Sequence, residues 1–238
     1  MGIKSMELDI QNLGRVRGSP LHVIRVGMEA TGKGYWESVG VKNAVIIDIG
    51  GYIGDTAMLF ANRGASRVYM FEPSKKYYDM ACINLAPYSN IVTFNQAVGH
   101  RNGFGILSGS LMGKTLTSGK GEPVSIRAFN DLVDEILTRE NCIDIVKMDC
   151  EDAERQIIEE SNPRIFERIH SFWIEMHGSQ DQNASLVEYL KELGYDLVYQ
   201  SPHFFLKHNF PDLGSRWVFA GLGTPVKAPN LHLTREHR

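Results

Sequence analysis

Short apolar runs alternate with amphipathic stretches along most of this chain of 238 residues. The runs are rich in Val and Ile, and they occupy residues 45–49, 67–71, 91–98, 143–149, 169–175, 195–200 and 216–220. Continuous apolar runs of this length are typical of strands buried on both faces, as in a parallel sheet. The intervening stretches at 55–63, 74–86, 152–161 and 182–193 have the end signals of helices.

The order of these elements predicts the fold class. Strands that alternate with helices indicate a parallel sheet with crossover connections. No helix is predicted between 195–200 and 216–220, and strands joined without a crossover helix are most simply antiparallel. We therefore expect an α/β, Rossmann-like fold, with a seven-stranded and mostly parallel sheet, a C-terminal antiparallel strand and helices on both faces.

The pattern is less regular at the two ends of the chain. We expect an N-terminal segment over residues 1–43, in which 21–26 forms a strand and which is a candidate substrate cap. A main domain over 44–222 and a polar tail over 223–238 follow. Tyr35 and Trp36 cover an apolar substrate, form a protein interface or pack on the core.

Two glycine-rich or aromatic stretches interrupt the main domain. Residues 99–121 predict a mobile loop or a short antiparallel ribbon, before a strand at 123–127 and a helix at 130–137. The aromatic loop 201–214 covers an apolar substrate, forms a protein interface or folds back on the core.

Composition argues against several classes of function. The formal net charge of −3, with both signs interspersed, offers no basic surface for nucleic acid. No apolar run approaches the roughly 20 residues of a membrane span, and no signal-peptide pattern opens the chain. Cys82, Cys142 and Cys150 are an odd number without paired spacing, which disfavours a disulfide or zinc framework. We expect a cytoplasmic protein with no nucleic-acid partner and no membrane association, of an oligomeric state that the sequence does not fix.

The chemistry begins where the first apolar run meets a turn. Asp48, Gly50 and Gly54 form the pattern D-x-G-x-x-x-G, and the next run ends on Glu72. A dinucleotide fingerprint, G-x-G-x-x-G, would need glycine at Ile49. The spacing resembles motif I of class I methyltransferases that use S-adenosyl-L-methionine (SAM), and the carboxylate of Glu72 can accept both ribose hydroxyls. A ribose-binding acid also suits NAD, so the glycine spacing is what favours SAM.

Further segments resemble one family of these enzymes, the FkbM methyltransferases. They are IDIVKMDCEDAE from Ile143, IEMH from Ile174, FEPS from Phe71, DIGGYIG from Asp48 and NQAVG from Asn95. The resemblance spans roughly 45–180 and leaves the first 40 residues uncovered. It implies SAM-dependent O-methylation of a hydroxyl on a sugar or another small metabolite. The rival hypotheses are a SAM-binding protein without catalysis and an NAD-dependent oxidoreductase.

The resemblance also implies which residues hold the cofactor. They lie in the glycine turn and at the ends of the neighbouring strands: Asp48, Gly50, Gly51, Tyr52, Gly54, Glu72, Pro73, Gln96, Ala97 and Asp149. Three residues depart from the family pattern. Tyr52 stands in place of Asn, Gly51 in place of Ala and Asp152 in place of Gly. We expect Tyr52 to change the contact with the methionine end of SAM, and Asp152 to cap the next helix or to tune the substrate pocket.

Catalytic candidates lie at the ends of the fourth and fifth main strands. His177 is the predicted general base, because the pKa of an ordinary histidine lies near neutral pH. Asp149 is predicted to orient the cofactor amine or the substrate. Glu175 is predicted to act in catalysis or to pair with Lys147, because a lone carboxylate on an apolar strand is costly. Asp149, Glu151 and Glu175 offer oxygen ligands for a divalent ion, but we expect no obligatory metal.

Overall fold

The computed structural model describes residues 6–11, 13–31, 40–110, 113–117, 119–177, 179–197, 199–200, 216–220 and 233–235. The strands are, in chain order, β1 (Met6–Ile10), β2 (Gly14–Gly18), β3 (Val45–Ile49), β4 (Arg67–Phe71), β5 (Ile91–Phe94), β6 (Ala97–Gly99), β7 (Gly103–Ser110), β8 (Gly113–Thr117), β9 (Glu122–Ala128), β10 (Ile145–Met148), β11 (Ser171–Met176), β12 (Tyr195–Leu197), β13 (Tyr199–Gln200), β14 (Arg216–Ala220) and β15 (Leu233–Arg235). The helices are α1 (Pro20–Thr31), α2 (Asp55–Asn62), α3 (Lys75–Leu85), α4 (Phe129–Leu137), α5 (Glu154–Glu159) and α6 (Gln180–Glu192), with a 3-10 helix over Pro163–Arg168.

The main sheet confirms the α/β class but corrects the number of parallel strands. Strands β5, β4, β3, β10 and β11 pair in parallel in that order. Thus five strands are parallel, within a sheet of nine, where the sequence predicted seven strands in a mostly parallel sheet. Strand β14 pairs antiparallel with β11, and β13 pairs antiparallel with β14. The sequence indicated this arrangement, because it predicted no crossover helix between the last two strands.

The C-terminal edge of the main sheet differs from the prediction because the predicted sixth strand pairs with two different strands. The predicted sixth strand, 195–200, divides into β12 and β13, which pair with different partners. Strand β12 pairs antiparallel with β15, which lies in the segment predicted as a polar tail. Three residues of that tail therefore form part of the sheet, and the aromatic loop 201–214 lies outside the described residues.

Both faces of the sheet are covered by helices, as predicted. Alternate residues of β3 point to opposite faces: Ile47 and Ile49 pack with α4, α5 and α6, whereas Ile46 packs with α1, α2 and α3. All five residues of β3 are buried, which explains why every one of them except Asp48 is apolar. Among the described residues, no helix combines the length and the apolar character that crossing a bilayer requires.

The N-terminal segment corrects a second prediction. Residues 21–26 belong to helix α1 instead of a strand. Val23 and Val26, three residues apart, are buried, while Leu21 and Ile24 are exposed, which is the pattern of a helix with one buried face. Pro20 at the first position of the helix also favours this start. Tyr35 and Trp36 lie outside the described residues.

A side-chain amide ties this segment to the main domain. The Asn84 side chain accepts a hydrogen bond from the backbone N–H of Arg17 at 2.8 Å. The same side chain donates to the carbonyl oxygens of Arg17 and Ile53, at 3.1 and 2.8 Å. The segment is therefore built into the same layer as α3 and the glycine turn.

The glycine-rich stretch 99–121 forms the ribbon that was one of two predicted outcomes. Strands β7 and β8 pair antiparallel, and β7 pairs with β9 in a second sheet of four strands. The predicted third strand, 91–98, is split into β5 and β6 at Asn95. The Asn95 side chain donates to the carbonyl oxygens of Glu72 and Pro73 at 2.9 and 3.0 Å, which fixes the end of β4 against this break.

Candidate functional site

The turn after β3 is pressed against the ends of two neighbouring strands. The backbone N–H groups of Gly50 and Gly51 both donate to the carbonyl oxygen of Phe71, at 2.9 and 3.0 Å. Gly50 has a φ of 80°, and a Cβ atom there would lie 1.7 Å from the carbonyl oxygen of Asp149. Neither the conformation nor the space admits a side chain. The predicted turn residues Gly50 and Gly51 therefore lie directly beside β4 and β10.

Glu72 stands at the carboxyl end of β4 with the geometry that a ribose acceptor needs. Its side chain is buried, and its two oxygens accept the backbone N–H groups of Tyr52 and Ser74, at 2.9 and 2.7 Å. These two bonds fix the orientation of the carboxylate at the edge of the sheet. A carboxylate has two acceptor oxygens, which suits a ligand with two vicinal hydroxyls. Pro73, Gln96 and Ala97 flank this strand end and remain predicted cofactor contacts.

Tyr52 uses its side chain to contact the N-terminal helix. Its φ is 49°, a left-handed conformation in which Asn is enriched, which explains why the family places Asn there. The Tyr52 hydroxyl is hydrogen-bonded to Nδ1 of His22, and its ring packs against Tyr77 at 4.7 Å between centroids. His22 and Tyr77 are both buried. Sequence analysis did not identify His22, because this contact joins residues 30 positions apart.

Asp48 lies buried beneath the turn, and its predicted contact with the cofactor stays a prediction. The residue has no exposed surface, its Oδ1 lies 3.1 Å from Nζ of Lys147, and its Oδ2 accepts the Thr56 hydroxyl at 2.7 Å. Lys147 also donates to the carbonyl oxygen of Gly50 at 2.8 Å. Burial alone would lower the pKa of Lys147, but the charges of Asp48 and Asp149 outweigh it and raise that pKa. A charged pair of Lys147 and Asp48 thus supports the turn. A pair of Lys147 with Glu175 was one of the two predicted alternatives for Glu175.

Acidic side chains surround His177 at the ends of β10 and β11. Nδ1 of His177 lies 3.1 Å from Oε1 of Glu154, and Nε2 lies 3.6 Å from Oε2 of Glu151. The same Glu154 oxygen accepts the backbone N–H of Cys150 at 2.7 Å. Asp149, Glu151 and His177 each have one atom that could bind a metal ion, and these three atoms all lie within 4.8 Å of one another. The structure thus brings together the predicted residues Asp149 and His177 and adds Glu154, which ends the family-like segment.

These acids change the protonation of His177. Burial alone would lower its pKa, but the hydrogen bond and charge of Glu154, with the charges of Glu175 and Asp149, raise the pKa of His177 to about 10. For Glu154, burial would raise the pKa, but its bond to His177 lowers it. An imidazole with this pKa carries a proton at neutral pH. It cannot accept a second one, which opposes the predicted role of His177 as the general base.

The connection from β10 to α5 shows that the prediction of Asp152 as the helix cap was wrong. Glu151 and Asp152 both adopt left-handed conformations, with φ of 53° and 80°. The N-cap of α5 is Ala153, so Asp152 is not the cap. A φ of 80° explains why the family has Gly at this position. Asp152 is exposed, whereas the preceding Glu151 faces His177.

Comparisons with known proteins identify the family. Residues 48–197 match the profile of a family described as the methyltransferase FkbM domain. No curated protein matches the chain.

Solved structures with a similar fold include methyltransferase FkbM from Methylobacillus flagellatus KT, with 17% identity, a TM-score of 0.48, and coverage of 65% of this chain and 39% of that chain. Fibrillarin from Aeropyrum pernix, in complex with natively bound SAM, has 13% identity and a TM-score of 0.48, with coverage of 76% of this chain and 68% of its own. The fibrillarin pre-rRNA processing protein of Methanococcus jannaschii has 12% identity and a TM-score of 0.48, covering 78% and 69%. The chain thus spans 39% of the length of the Methylobacillus protein. At these identities and TM-scores, no substrate transfers from these proteins to this chain.

Proposed function

Since the matched domain spans more than half of the chain, the chain belongs to the FkbM family of SAM-dependent methyltransferases, and we propose that it methylates a hydroxyl group on a sugar or another small metabolite. SAM is the cofactor of this family. The observation that carries the proposal is the contact between the Gly50 turn and Asp149. It joins the ribose-binding side of the site, at Glu72, to the acidic cluster around His177.

The cofactor supplies an electrophilic methyl group on a sulfonium, so the protein has to align the acceptor with it and receive a proton. Glu72 holds the ribose, and the side-chain-free backbone of Gly50 and Gly51 permits close approach. Asp149, which follows β10 beside the turn, orients the cofactor amine or the acceptor. These roles use groups whose positions are fixed by backbone hydrogen bonds, which limits the reorganisation needed on binding.

We propose that the carboxylate of Glu175 takes the proton that the acceptor hydroxyl loses during methyl transfer. This carboxylate lies on β11, one strand farther from the glycine turn than Asp149, and its charge contributes to the raised pKa of His177. Glu154 holds the His177 ring in a fixed orientation, and we assign this ring to positioning the acceptor and not to taking its proton. The carboxylate of Glu175 is the general base.

A small acceptor is favoured over a nucleic acid by charge. Asp149, Glu151, Glu154 and Glu175 surround the catalytic edge, and the whole chain has a formal net charge of −3. Such a field repels the phosphates that dominate nucleic-acid binding. Neutral or cationic acceptors meet no such penalty.

The test uses radiolabelled SAM and a panel of hydroxylated acceptors, with SAM affinity measured separately by calorimetry. Glu72→Gln is expected to weaken SAM binding at least tenfold, because one acceptor oxygen becomes a donor. Glu175→Gln is expected to keep the SAM affinity and to lose methyl transfer at least a hundredfold. Glu188→Gln, on the exposed face of α6, is the matched control and should change neither quantity. SAM binding without turnover on any acceptor would favour a binding protein without catalysis, and unchanged SAM affinity in Glu72→Gln would refute the assignment of the ribose site.

A further inference from the structure

Asp149, Glu151 and His177 have the spacing of ligands around one metal ion. Ligands about 2.1 Å from an octahedral ion lie about 3 Å apart when adjacent and about 4 Å apart when opposite. The 3.6 Å between Nε2 of His177 and Oε2 of Glu151 falls between these values and is too long for a hydrogen bond. The donor atoms of all three residues lie within 4.8 Å of one another, so a small closure brings them to one ion.

Glu154 gives His177 the orientation that metal-binding histidines have. A ligating histidine almost always donates its other ring N–H to a carboxylate or a carbonyl, which fixes the ring and strengthens the ligand nitrogen. Here Nδ1 is bonded to the buried Glu154 at 3.1 Å, and Nε2 faces Glu151. Glu154 is itself held by the backbone N–H of Cys150. The ring therefore presents Nε2 to the cluster from a fixed position.

The donor set also indicates the kind of ion. Two carboxylates favour hard ions such as Mg²⁺ and Mn²⁺, and an imidazole favours transition metals, so Mn²⁺ satisfies both preferences. Three protein ligands leave positions open on an octahedral ion. All three residues are only partly buried, which leaves these positions accessible from the catalytic edge.

We propose that Asp149, Glu151 and His177 bind a divalent cation of the Mn²⁺ type beside the acceptor, and that binding releases to solvent the proton that Nε2 of His177 carries in the metal-free chain. The sequence favoured no metal, and the set it considered contained Glu175; the fold supplies His177 instead. The binding site stands on the geometry alone. Its role rests on the proposed function: a cation there binds the acceptor hydroxyl oxygen and makes that hydroxyl more acidic, which eases proton loss to Glu175.

A second cluster in the chain provides a control. Cys142, Asp144 and His170 also lie within 4.8 Å of one another, near the amino ends of β10 and β11. There Oδ1 of Asp144 lies 3.1 Å from His170, a direct bond, and Oδ2 accepts the backbone N–H of Val45 at 2.7 Å. The carboxylate of Asp144 thus joins the start of β3 to the residues before β10 and β11. His170 is therefore a matched control, because it is a histidine bonded to a carboxylate outside the proposed site.

The test is an electron paramagnetic resonance titration of the full chain with Mn²⁺, after removal of metals and without SAM or acceptor. We expect one Mn²⁺ bound per chain, with affinity reduced at least tenfold in Glu151→Gln and in His177→Gln, and unchanged in His170→Gln. Glu151→Gln alters a partly exposed side chain, so its folding, checked by circular dichroism, should be intact. The absence of stoichiometric binding, equal binding in both site variants, or loss of binding in His170→Gln would each overturn the proposal.

SAM affinity, measured on the same samples, separates this inference from the proposed function. Glu151→Gln is expected to bind SAM as the unaltered chain does, because the ribose site lies at Glu72. Intact SAM binding without a Mn²⁺ site would overturn the cation proposal alone. Stoichiometric Mn²⁺ binding by a chain that does not bind SAM would support the site and refute the proposed function.

Discussion

Replacement of Lys147 by methionine is expected to destabilise the protein by about 3–5 kcal/mol, because it removes the cation 3.1 Å from a fully buried carboxylate. Lys147 is itself 2% exposed, so water does not reach the gap that its charge leaves. Asp48 would keep the hydrogen bond from Thr56 but would lose its countercharge. The carbonyl oxygen of Gly50 would also lose a donor, so we expect weaker SAM binding as well.

The double variant separates the pair from the rest of the core. Asp48→Asn with Lys147→Met contains neither charge, and its cost is expected to fall at least about 2 kcal/mol short of the sum of the two single costs. An exposed pair provides the control: Lys191 and Glu188 lie 2.7 Å apart on α6, and Lys191→Met should cost less than about 1 kcal/mol.

The assay is equilibrium unfolding in urea, followed by circular dichroism. With a slope of about 3 kcal/mol per molar urea, Lys147→Met should lower the midpoint by about 1–1.7 M. A shift as small as that of Lys191→Met would refute the reasoning. So would additive costs in the double variant, since they would mean that the two charges do not stabilise each other.

Two further predictions concern the turn and the cluster. Gly50→Ala and Gly64→Ala share a left-handed φ, 80° and 88°, but only the Cβ at Gly50 would meet the backbone of Asp149. Thermal unfolding should therefore show a loss of about 1–2 kcal/mol for Gly64→Ala and a clearly larger loss for Gly50→Ala; equal losses would contradict the close packing. The folded-state pKa of His177, about 10, lies above its ordinary 6.5, so its contribution to stability is complete below pH 6.5 and disappears as the pH rises to 10. In metal-free buffer the stability difference between the unaltered chain and His177→Gln should shrink over that range, and a constant difference would contradict the assignment.

The local pattern of apolar residues and glycines was enough to predict the parallel strands and the glycine turn from the sequence. The run Val45–Ile49 predicts a strand buried on both faces, and all of its residues are buried. Glu72 follows from its position at the end of the next run. The strand and the turn could be predicted because strand burial and turn conformation are decided by residues within a few positions of each other, whereas the cofactor role of Glu72 stays a prediction.

The surroundings of Asp48, the pKa of His177 and the helical state of residues 21–26 depend on contacts between distant residues, which the sequence pattern does not show. Asp48 has the type and position of a cofactor contact, but its partner Lys147 lies on a neighbouring strand that only the fold brings to it. The pKa of His177 depends on Glu154, which is 23 positions away. The β-branched residues of 21–26 favoured a strand, and burial of Val23 and Val26 on one face overrode that preference.

The N-terminal segment has a consequence for how the protein unfolds. Ile10, Val16 and Val23 belong to the same apolar cluster as Ile46 of the central strand, although the matched family domain begins only at residue 48. Deleting the first 43 residues would uncover this layer to water and leave Asn84 without its contacts to Arg17. Amide hydrogen exchange should therefore show the buried amides of α1 opening together with those of β3, as a single cooperative unit that begins well before the matched family domain.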